Sequence, residues 1–315
     1  AAIEGVVRAA SGRLRRVFDD VSVELPPDEV HRQSVLLEQR VAWVYRVWQH
    51  FQARFDQRDR DETLPVLRAA DEVVWSCFAP ALRFLQIESP PPVPFIGYDY
   101  TPLAFLVSQI PPELQKDSGK LCDLINRMPC PEISFPVACV RSPWWLVLIG
   151  HEVGHHVYML LALQEPFRQW LRALGDGGEA WSQVAEEVFA DVYSVLVMGP
   201  AALRAIREFD VAGPADMTLP RDRYPSLAAR LALLAETARA LGCDATAVAD
   251  ALGDVDLAAL GASGARAKLD LSIARRVAGA VDAPWTYDGR TFTLRDLVGG
   301  FDAGLFKAEP PVDPS

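Results

Sequence analysis

The sequence predicts a mainly α-helical fold of the α+β class with a small β-sheet. Apolar residues recur at helical spacing through most of the 315-residue chain. Strand patterns are few and short: the strongest spans 133–140, and a small hairpin is expected at 285–293 around Asp288-Gly289. Breaks such as Gly199-Pro200 separate the helical segments, because glycine and proline end helices.

Composition limits the class of protein. Half of the residues are hydrophobic and 23% are charged, which is typical of a globular chain. The net charge of −11, without a dominant basic patch, predicts no nucleic-acid partner. The five cysteines are odd in number and form no C-x-x-C pair, so we expect free thiols in a reducing compartment. The chain opens without a secretory signal pattern, and we expect a cytoplasmic protein.

Three regions are expected from the order of elements. Residues 1–88 form a helical N-terminal region, residues 89–245 a central core that opens with a Pro-rich stretch, and residues 246–315 a C-terminal helical region with the small hairpin. Residues 8–24 are expected to form a short amphipathic segment. The predicted helices span 29–58, 62–86, 143–163, 166–174, 179–198, 201–209, 226–241, 245–252 and 269–281.

Local signals predict where two of these helices begin. Asp28 is expected to cap the helix that follows it, and Ser142 with Pro143 is expected to start the helix that runs to Leu163. The strand at 133–140 directly precedes this last helix. Pro136 lies inside that strand, which predicts an edge strand or a bulge because proline donates no ladder hydrogen bond.

The most informative motif is His151-Glu152-Val153-Gly154-His155, inside an apolar helical run. Two histidines four residues apart share one helix face and can bind one metal ion. Glu152 is then placed to act as general base on a water at that ion. With so few histidines in the chain, about 0.01 chance occurrences of H-E-x-x-H are expected. The alternative is a buried helix with hydrogen-bonded core histidines. His156 points away from the shared face, so we expect it to pack or to support a ligand.

A third ligand is expected on the helix after the Gly-rich break. Glu187 and Asp191 are four apart on an apolar helix, and buried carboxylates need a cation or hydrogen-bond partners. We expect Glu187 to bind the metal and Asp191 to accept the second ring N–H of a ligating histidine. Glu186 is the alternative ligand. A solvated helix face or a core salt bridge is the alternative reading of the pair.

H-E-x-x-H followed by a helix with E-x-x-x-D resembles the gluzincin metallopeptidases. The resemblance implies a zincin-like core in which His151, His155 and Glu187 bind Zn²⁺. It also implies that Asp191 orients one histidine and that Glu152 is the general base. The interval from His155 to Glu187 is longer than in the thermolysin-like members of the group.

The segment from Tyr224 to Arg230 resembles two particular families within this group. It is similar to the H-P-x-x-x-x-R segment of the CAAX prenyl protease and HtpX-like peptidases, with Tyr224 where those families have histidine. Tyr224 and Arg230 are the two candidates for the donor that stabilises the oxyanion; the alternatives are a loop tyrosine and an ion-pair partner of a carboxylate. The resemblance covers about residues 130–235. Many of these relatives are membrane-embedded, but no membrane span is expected here, because the apolar run 144–163 carries Glu152 and three histidines.

The expected function is zinc-dependent endopeptidase activity on a peptide or protein substrate. Zinc would activate water, and the strand 133–140 is a candidate for pairing with an extended substrate. Two alternatives remain. One is an inactive zincin-like scaffold or binding module, against which the presence of Glu152 argues. The other is a peptidase effector module of a larger bacterial regulatory, defence or toxin system.

Overall fold

A computed structural model describes residues 12, 15, 26–97, 102–105, 131–210, 216–219 and 221–298. The described chain is mostly helical with a small mixed sheet, in agreement with the predicted mainly α-helical α+β composition. The predicted amphipathic segment 8–24 lies outside the described residues except at Gly12 and Arg15, and so do Cys122 and Cys130. Cys77 and Cys139 are buried free thiols, and Cys243 is a partly buried free thiol, as expected.

Most helices agree with the predicted ones within a few residues, but three short helices, Ala138–Arg141, Leu257–Ala262 and Leu294–Leu297, were not predicted. The described helices are α1 (Pro27–Phe55), α2 (Leu64–Leu85), α3 (Ala138–Arg141), α4 (Ile149–Leu160), α5 (Gln164–Ala173), α6 (Gly178–Gln183), α7 (Ala185–Met198), α8 (Pro200–Phe209), α9 (Leu227–Ala240), α10 (Ala245–Leu252), α11 (Leu257–Ala262), α12 (Ala265–Val277) and α13 (Leu294–Leu297). The strands are β1 (Val93–Gly97), β2 (Leu103–Phe105), β3 (Glu132–Pro136), β4 (Trp285–Tyr287) and β5 (Arg290–Phe292). The antiparallel β4–β5 pair is the predicted hairpin.

The prediction that Asp28 caps α1 is wrong: Asp28 lies in the first turn, and Pro26 occupies the N-cap position. Ser142 and Pro143 do occupy the N-cap and first helical positions, as predicted, but Ser142 makes no capping hydrogen bond. The helix that begins there is a 3₁₀ helix, Pro143–Leu148, and α4 begins only after it. The predicted helix 179–198 is also two helices, because the chain turns at Val184 between α6 and α7.

The three-stranded sheet has the order β1-β3-β2, with β1 parallel and β2 antiparallel to β3. β3 is therefore the central strand, and the prediction of an edge strand at 133–140 was wrong. Pro136 is tolerated because it is the last residue of β3 and pairs only with Gly97 of β1, whereas β2 stops at the level of Ser134. The strand ends there, and residues 138–141 form α3.

The outer edge of β1 is covered by side chains. The amide of Gln57 donates to the carbonyl of Ile96 at 2.9 Å and accepts the Ile96 N–H at 2.8 Å. Arg58 donates to the carbonyl of Pro94 at 2.9 Å. These contacts satisfy backbone groups that an edge strand otherwise leaves open to another chain. β2, at the other edge, packs against α4.

The centre of the fold is the antiparallel pair of helices α4 and α7, which have the most extensive contact of any two described elements. Two glycines of α4 permit this approach. A Cβ at Gly154 would lie 2.8 Å from the Cα of Ala190, and one at Gly150 would lie 2.8 Å from the side chain of Met198. α2 packs on α4 from another side, and the hydroxyl of Tyr193 on α7 donates to a backbone carbonyl of α2.

No single described helix is long and apolar enough to cross a membrane. The segments Pro143–Leu160 and Gln164–Ala173 are together long and apolar enough to cross a membrane, but they are bent by 102° at the break between them.

Candidate metal centre

Three donor atoms converge between α4 and α7. The Nε2 atoms of His151 and His155 are 3.2 Å apart. One oxygen of Glu187, Oε2, lies 3.2 Å from the first nitrogen and 3.5 Å from the second. Both histidines are buried, and the Glu187 side chain is 19% exposed. The structure thus brings together the three residues that the sequence predicted as ligands.

These separations fit one tetrahedral ion. Ligand atoms about 2.0–2.1 Å from a tetrahedral zinc ion lie about 3.3 Å from each other. The three measured separations span that value. Two imidazoles and one carboxylate are also a usual ligand set of catalytic zinc. The residues present therefore fit a metal ion.

A carboxylate lies behind each histidine. Asp191 Oδ1 is 2.9 Å from Nδ1 of His151, and Glu186 Oε1 is 3.2 Å from Nδ1 of His155. Both are close contacts rather than well-aligned hydrogen bonds. A carboxylate at Nδ1 selects the tautomer whose Nε2 is free to bind a metal. Asp191 therefore lies where the sequence predicted it, whereas Glu186, the alternative ligand, contacts the far side of His155 instead of the donor cluster.

The site has a negative field that favours a bound cation. Burial by itself would lower the pKa of His155, but its contacts with Glu186 and Glu187 raise that pKa to about 10. Burial also opposes ionisation of Glu187, yet the contacts with the two histidines lower its pKa below the usual range. A divalent ion among the three donors would supply the positive charge that these carboxylates favour. It would bind to both imidazoles in their neutral, deprotonated form.

Glu152 is buried on α4, in the turn between the two histidines. Burial raises its pKa above the usual value for a glutamate, and the negative charge of Glu187 acts in the same direction. The two neighbouring histidines and Arg230 act in the opposite direction. The raised pKa makes Glu152 a stronger proton acceptor than an exposed glutamate, which is the property that a general base needs.

Arg230 and Tyr224, the two candidate oxyanion donors, have different surroundings. Nε and Nη2 of Arg230 donate to the two oxygens of Asp191 at 2.7 and 2.8 Å, and Nη1 lies 3.5 Å from Asp210 Oδ2. The ring of Tyr224 lies over this guanidinium, 4.5 Å from Cζ to ring centroid. Burial raises the pKa of Tyr224, and the charge of Glu187 raises it further, so its hydroxyl keeps its proton. Arg230 is therefore the ion-pair partner of Asp191, and the ring of Tyr224 covers its guanidinium.

His156 faces the sheet. Its imidazole is hydrogen-bonded to the backbone of Glu132 in β3, while its Nε2 has no hydrogen-bond partner in the described part of the chain. Burial lowers its pKa to about 3, helped by the charge of His155. His156 is therefore a neutral packing residue behind the site, as its rotation on the helix predicted.

Sequence reasoning missed two contacts at this site. One is the contact of Glu186 with Nδ1 of His155. The adjacent pair Glu186-Glu187 at the start of α7 was the one sequence feature that could have predicted it. No sequence signal predicted the contact of Asp210 with Arg230, because Asp210 follows the end of α8 and reaches Arg230 only through the packing of α8 on α9.

Comparisons of this chain with protein-family models, with curated proteins and with solved structures find no match. The interpretation of the site therefore depends on its donor geometry and its charges.

Proposed function

We propose that this chain is a zinc-dependent metallopeptidase with a zincin-like core of gluzincin type. The observation that carries the proposal is the convergence of His151, His155 and Glu187 at the separations of one tetrahedral ion, with Glu152 beside them. Among the described residues no fourth histidine, cysteine or carboxylate joins this group. Catalytic zinc sites have three protein ligands and one open position, whereas structural sites usually have four, so the donor set supports an enzyme over a scaffold.

The proposed reaction is hydrolysis of a peptide bond. A bound zinc ion supplies a Lewis acid and lowers the pKa of water from 15.7 to about 7. Glu152 accepts the proton of the attacking water and then delivers it to the leaving amine, and its raised pKa suits both steps. Asp191 and Glu186 hold the imidazoles of His151 and His155 in the tautomer that binds metal.

Tyr224 is the proposed donor to the oxyanion that forms on the scissile carbonyl. Its protonated hydroxyl can donate one hydrogen bond, and its ring is fixed by the face of Arg230. Donors that are fixed before the reaction starts stabilise the developing charge without a reorganisation cost. The tyrosine thus supplies a donor at the position where the resembling families have histidine.

An extended peptide substrate fits the outer side of β2. β2 lies against α4, and within the described residues no strand pairs with its outer side. Gln57 and Arg58 already occupy the other edge of the sheet. Addition of a peptide strand to a free edge provides backbone hydrogen bonds that do not depend on sequence. β2 therefore replaces the strand 133–140 as the proposed substrate strand.

The test compares peptide-library cleavage by the wild type and by Glu152→Gln, with the zinc content of both measured by elemental analysis. We expect Glu152→Gln to retain zinc and to lose about 10²–10⁴-fold in rate, which is the usual contribution of a general base. Removal of zinc with a chelator should abolish cleavage by the wild type, and added Zn²⁺ should restore it.

The matched control is Glu165→Gln, which removes an exposed carboxylate on α5. It should cleave at the wild-type rate. Equal cleavage by the wild type and Glu152→Gln would remove the proposed role of Glu152. A wild-type protein that neither contains zinc nor binds added zinc would overturn the proposed enzyme.

A further inference from the structure

The guanidinium of Arg230 is held on three sides. Asp191 accepts two hydrogen bonds from one side, at 2.7 and 2.8 Å, and Asp210 lies 3.5 Å from the remaining nitrogen. Tyr224 covers one face. A bidentate carboxylate sets the plane of a guanidinium, and the ring defines the position of that plane. Asp210 is the third contact of the guanidinium and binds Nη1, the nitrogen that does not contact Asp191.

Asp210 also holds a second cation. The oxygen that faces Arg230 accepts a hydrogen bond from Nη1 of Arg221. Asp210 is 18% exposed and Arg221 is 28% exposed, whereas Asp191 is fully buried. A row of alternating charge therefore leads from the back of His151 through Asp191, Arg230 and Asp210 to Arg221 near the surface.

We propose that Asp210 is a positioning residue of the zinc site. It acts through Arg230 on two groups: Asp191, which lies behind His151, and the ring of Tyr224. The inference rests on the proposed function, since it concerns the same zinc site.

The argument is electrostatic. The carboxylate of Asp210 lies between the guanidinium groups of Arg230 and Arg221. With the uncharged side chain of Asp210→Asn in its place, the two guanidinium groups share a neutral partner and repel each other across a poorly solvated region. Arg230 then moves, and Asp191 and Tyr224 move with it because both are fixed to it.

The test measures Zn²⁺ affinity by competition with a chromophoric chelator, which requires no substrate. Loss of a direct carboxylate partner of a ligating histidine usually costs 10–100-fold in affinity. Asp210 acts through Arg230, so we expect Asp210→Asn to weaken Zn²⁺ binding by about 3–10-fold, below the effect of Asp191→Asn. The control is Asp282→Asn, which breaks the surface pair of Asp282 and Arg295 and should bind Zn²⁺ as the wild type does.

Three further variants separate positioning from a general structural role. Asp210→Glu keeps the charge and should bind Zn²⁺ within about twofold of the wild type. Arg221→Gln keeps the contact of Asp210 with Arg230 and should lose less than Asp210→Asn; it also tests the row of charges if Asp210→Asn does not fold. The exchange Asp210→Arg with Arg221→Asp restores an ion pair but brings an arginine against Arg230. It should therefore bind Zn²⁺ as poorly as Asp210→Asn or worse.

The outcomes distinguish this inference from the proposed function. Failure of the wild type to bind Zn²⁺ overturns both. Wild-type affinity in Asp210→Asn, together with weakened binding in Asp191→Asn, overturns only the positioning role. Recovery of wild-type Zn²⁺ affinity in the exchanged variant overturns the positioning role as well. An ion pair between positions 210 and 221 would then be sufficient for Zn²⁺ binding, whichever position carries the carboxylate. If Asp210→Asn does not fold, Arg221→Gln takes its place in the test. Wild-type Zn²⁺ affinity in Arg221→Gln would then contradict an effect of the row of charges on the zinc site.

Discussion

Gly154 of α4 faces Ala190 of α7 so closely that a Cβ at position 154 would lie 2.8 Å from the Cα of Ala190 and 3.2 Å from its carbonyl oxygen. The atoms in the way belong to backbone, so a side chain there cannot be accommodated by a change of rotamer. On either side of this contact, His151 meets Asp191 and His155 meets Glu187. The glycine therefore sets the distance between the two halves of the candidate metal centre.

Gly154→Ala should separate α4 from α7. Overpacking of this kind costs about 1–3 kcal/mol, and we expect a loss of that size in unfolding free energy, with weaker Zn²⁺ binding. Gly279→Ala is the matched control, since a Cβ there meets nothing within 4 Å. It should leave both quantities unchanged or raise stability slightly. Chemical denaturation and a zinc competition assay measure the two effects, and equal behaviour of both variants would contradict the spacing role of Gly154.

The buried pair of Asp191 and Arg230 allows stability and metal binding to be separated. Arg230→Met leaves the carboxylate of Asp191 buried without its partner and should cost about 3–5 kcal/mol of unfolding free energy. Adding Asp191→Leu removes that charge and should recover much of the stability, because replacing both members of a buried pair by apolar groups is often neutral.

The double variant should not recover Zn²⁺ affinity, because His151 has lost the carboxylate at Nδ1. Arg239→Met is the control; it breaks an exposed pair with Glu236 and should cost at most about 1 kcal/mol. Thermal unfolding and zinc competition on the four proteins give the comparison. Recovery of zinc affinity in the double variant would argue that Asp191 serves only the stability of Arg230.

The ligands of the candidate centre were predictable because each depends on local spacing. His151 and His155 share a face of one helix, as do Glu187 and Asp191, and an interval of four residues fixes both facts before any tertiary structure is known. The apolar neighbours of both pairs predicted burial. The pair of histidines needed a third ligand, a buried carboxylate needs a partner, and the order of the two motifs resembled the gluzincins; together these led to Glu187.

The parts that sequence reasoning missed depend on contacts between distant segments. The position of β3 in the middle of the sheet follows from its pairing with β1 and β2, which no local pattern fixes. Pro136 was a misleading signal, since a proline at the end of a strand leaves the ladder intact. The contact of Asp210 with Arg230 likewise needs the angle at which α8 packs on α9.

Gln57 should stabilise the sheet by covering the edge of β1. Gln57→Leu removes two hydrogen bonds to Ile96 and leaves a backbone N–H and C=O without these partners. We expect a loss of about 1–3 kcal/mol in unfolding free energy, since the backbone groups are partly buried. Gln169→Leu, which removes an exposed contact with Glu165, is the control and should be nearly neutral. Hydrogen exchange at Ile96 should speed up in Gln57→Leu alone; unchanged exchange there would mean that other groups cover this edge.

Glu132 should make stability depend on pH. Burial raises its pKa to about 7 from the ordinary value of 4.5, although Arg54 at 3.0 Å opposes the change. Between these two values the folded state binds more protons than the unfolded state, so this contribution is complete below pH 4.5 and is lost as the pH rises through 7. The difference corresponds to roughly 3 kcal/mol.

Glu132→Gln removes this titration and keeps the size of the side chain. The unfolding free energy of the wild type, taken relative to that of Glu132→Gln, should therefore fall by up to about 3 kcal/mol between pH 5 and pH 8. Denaturant titrations at several pH values measure this difference, with the exposed Glu165→Gln as a control that should follow the wild type. Parallel curves for the wild type and Glu132→Gln would show that Glu132 is already ionised at pH 5, and that its ion pair with Arg54 outweighs its burial.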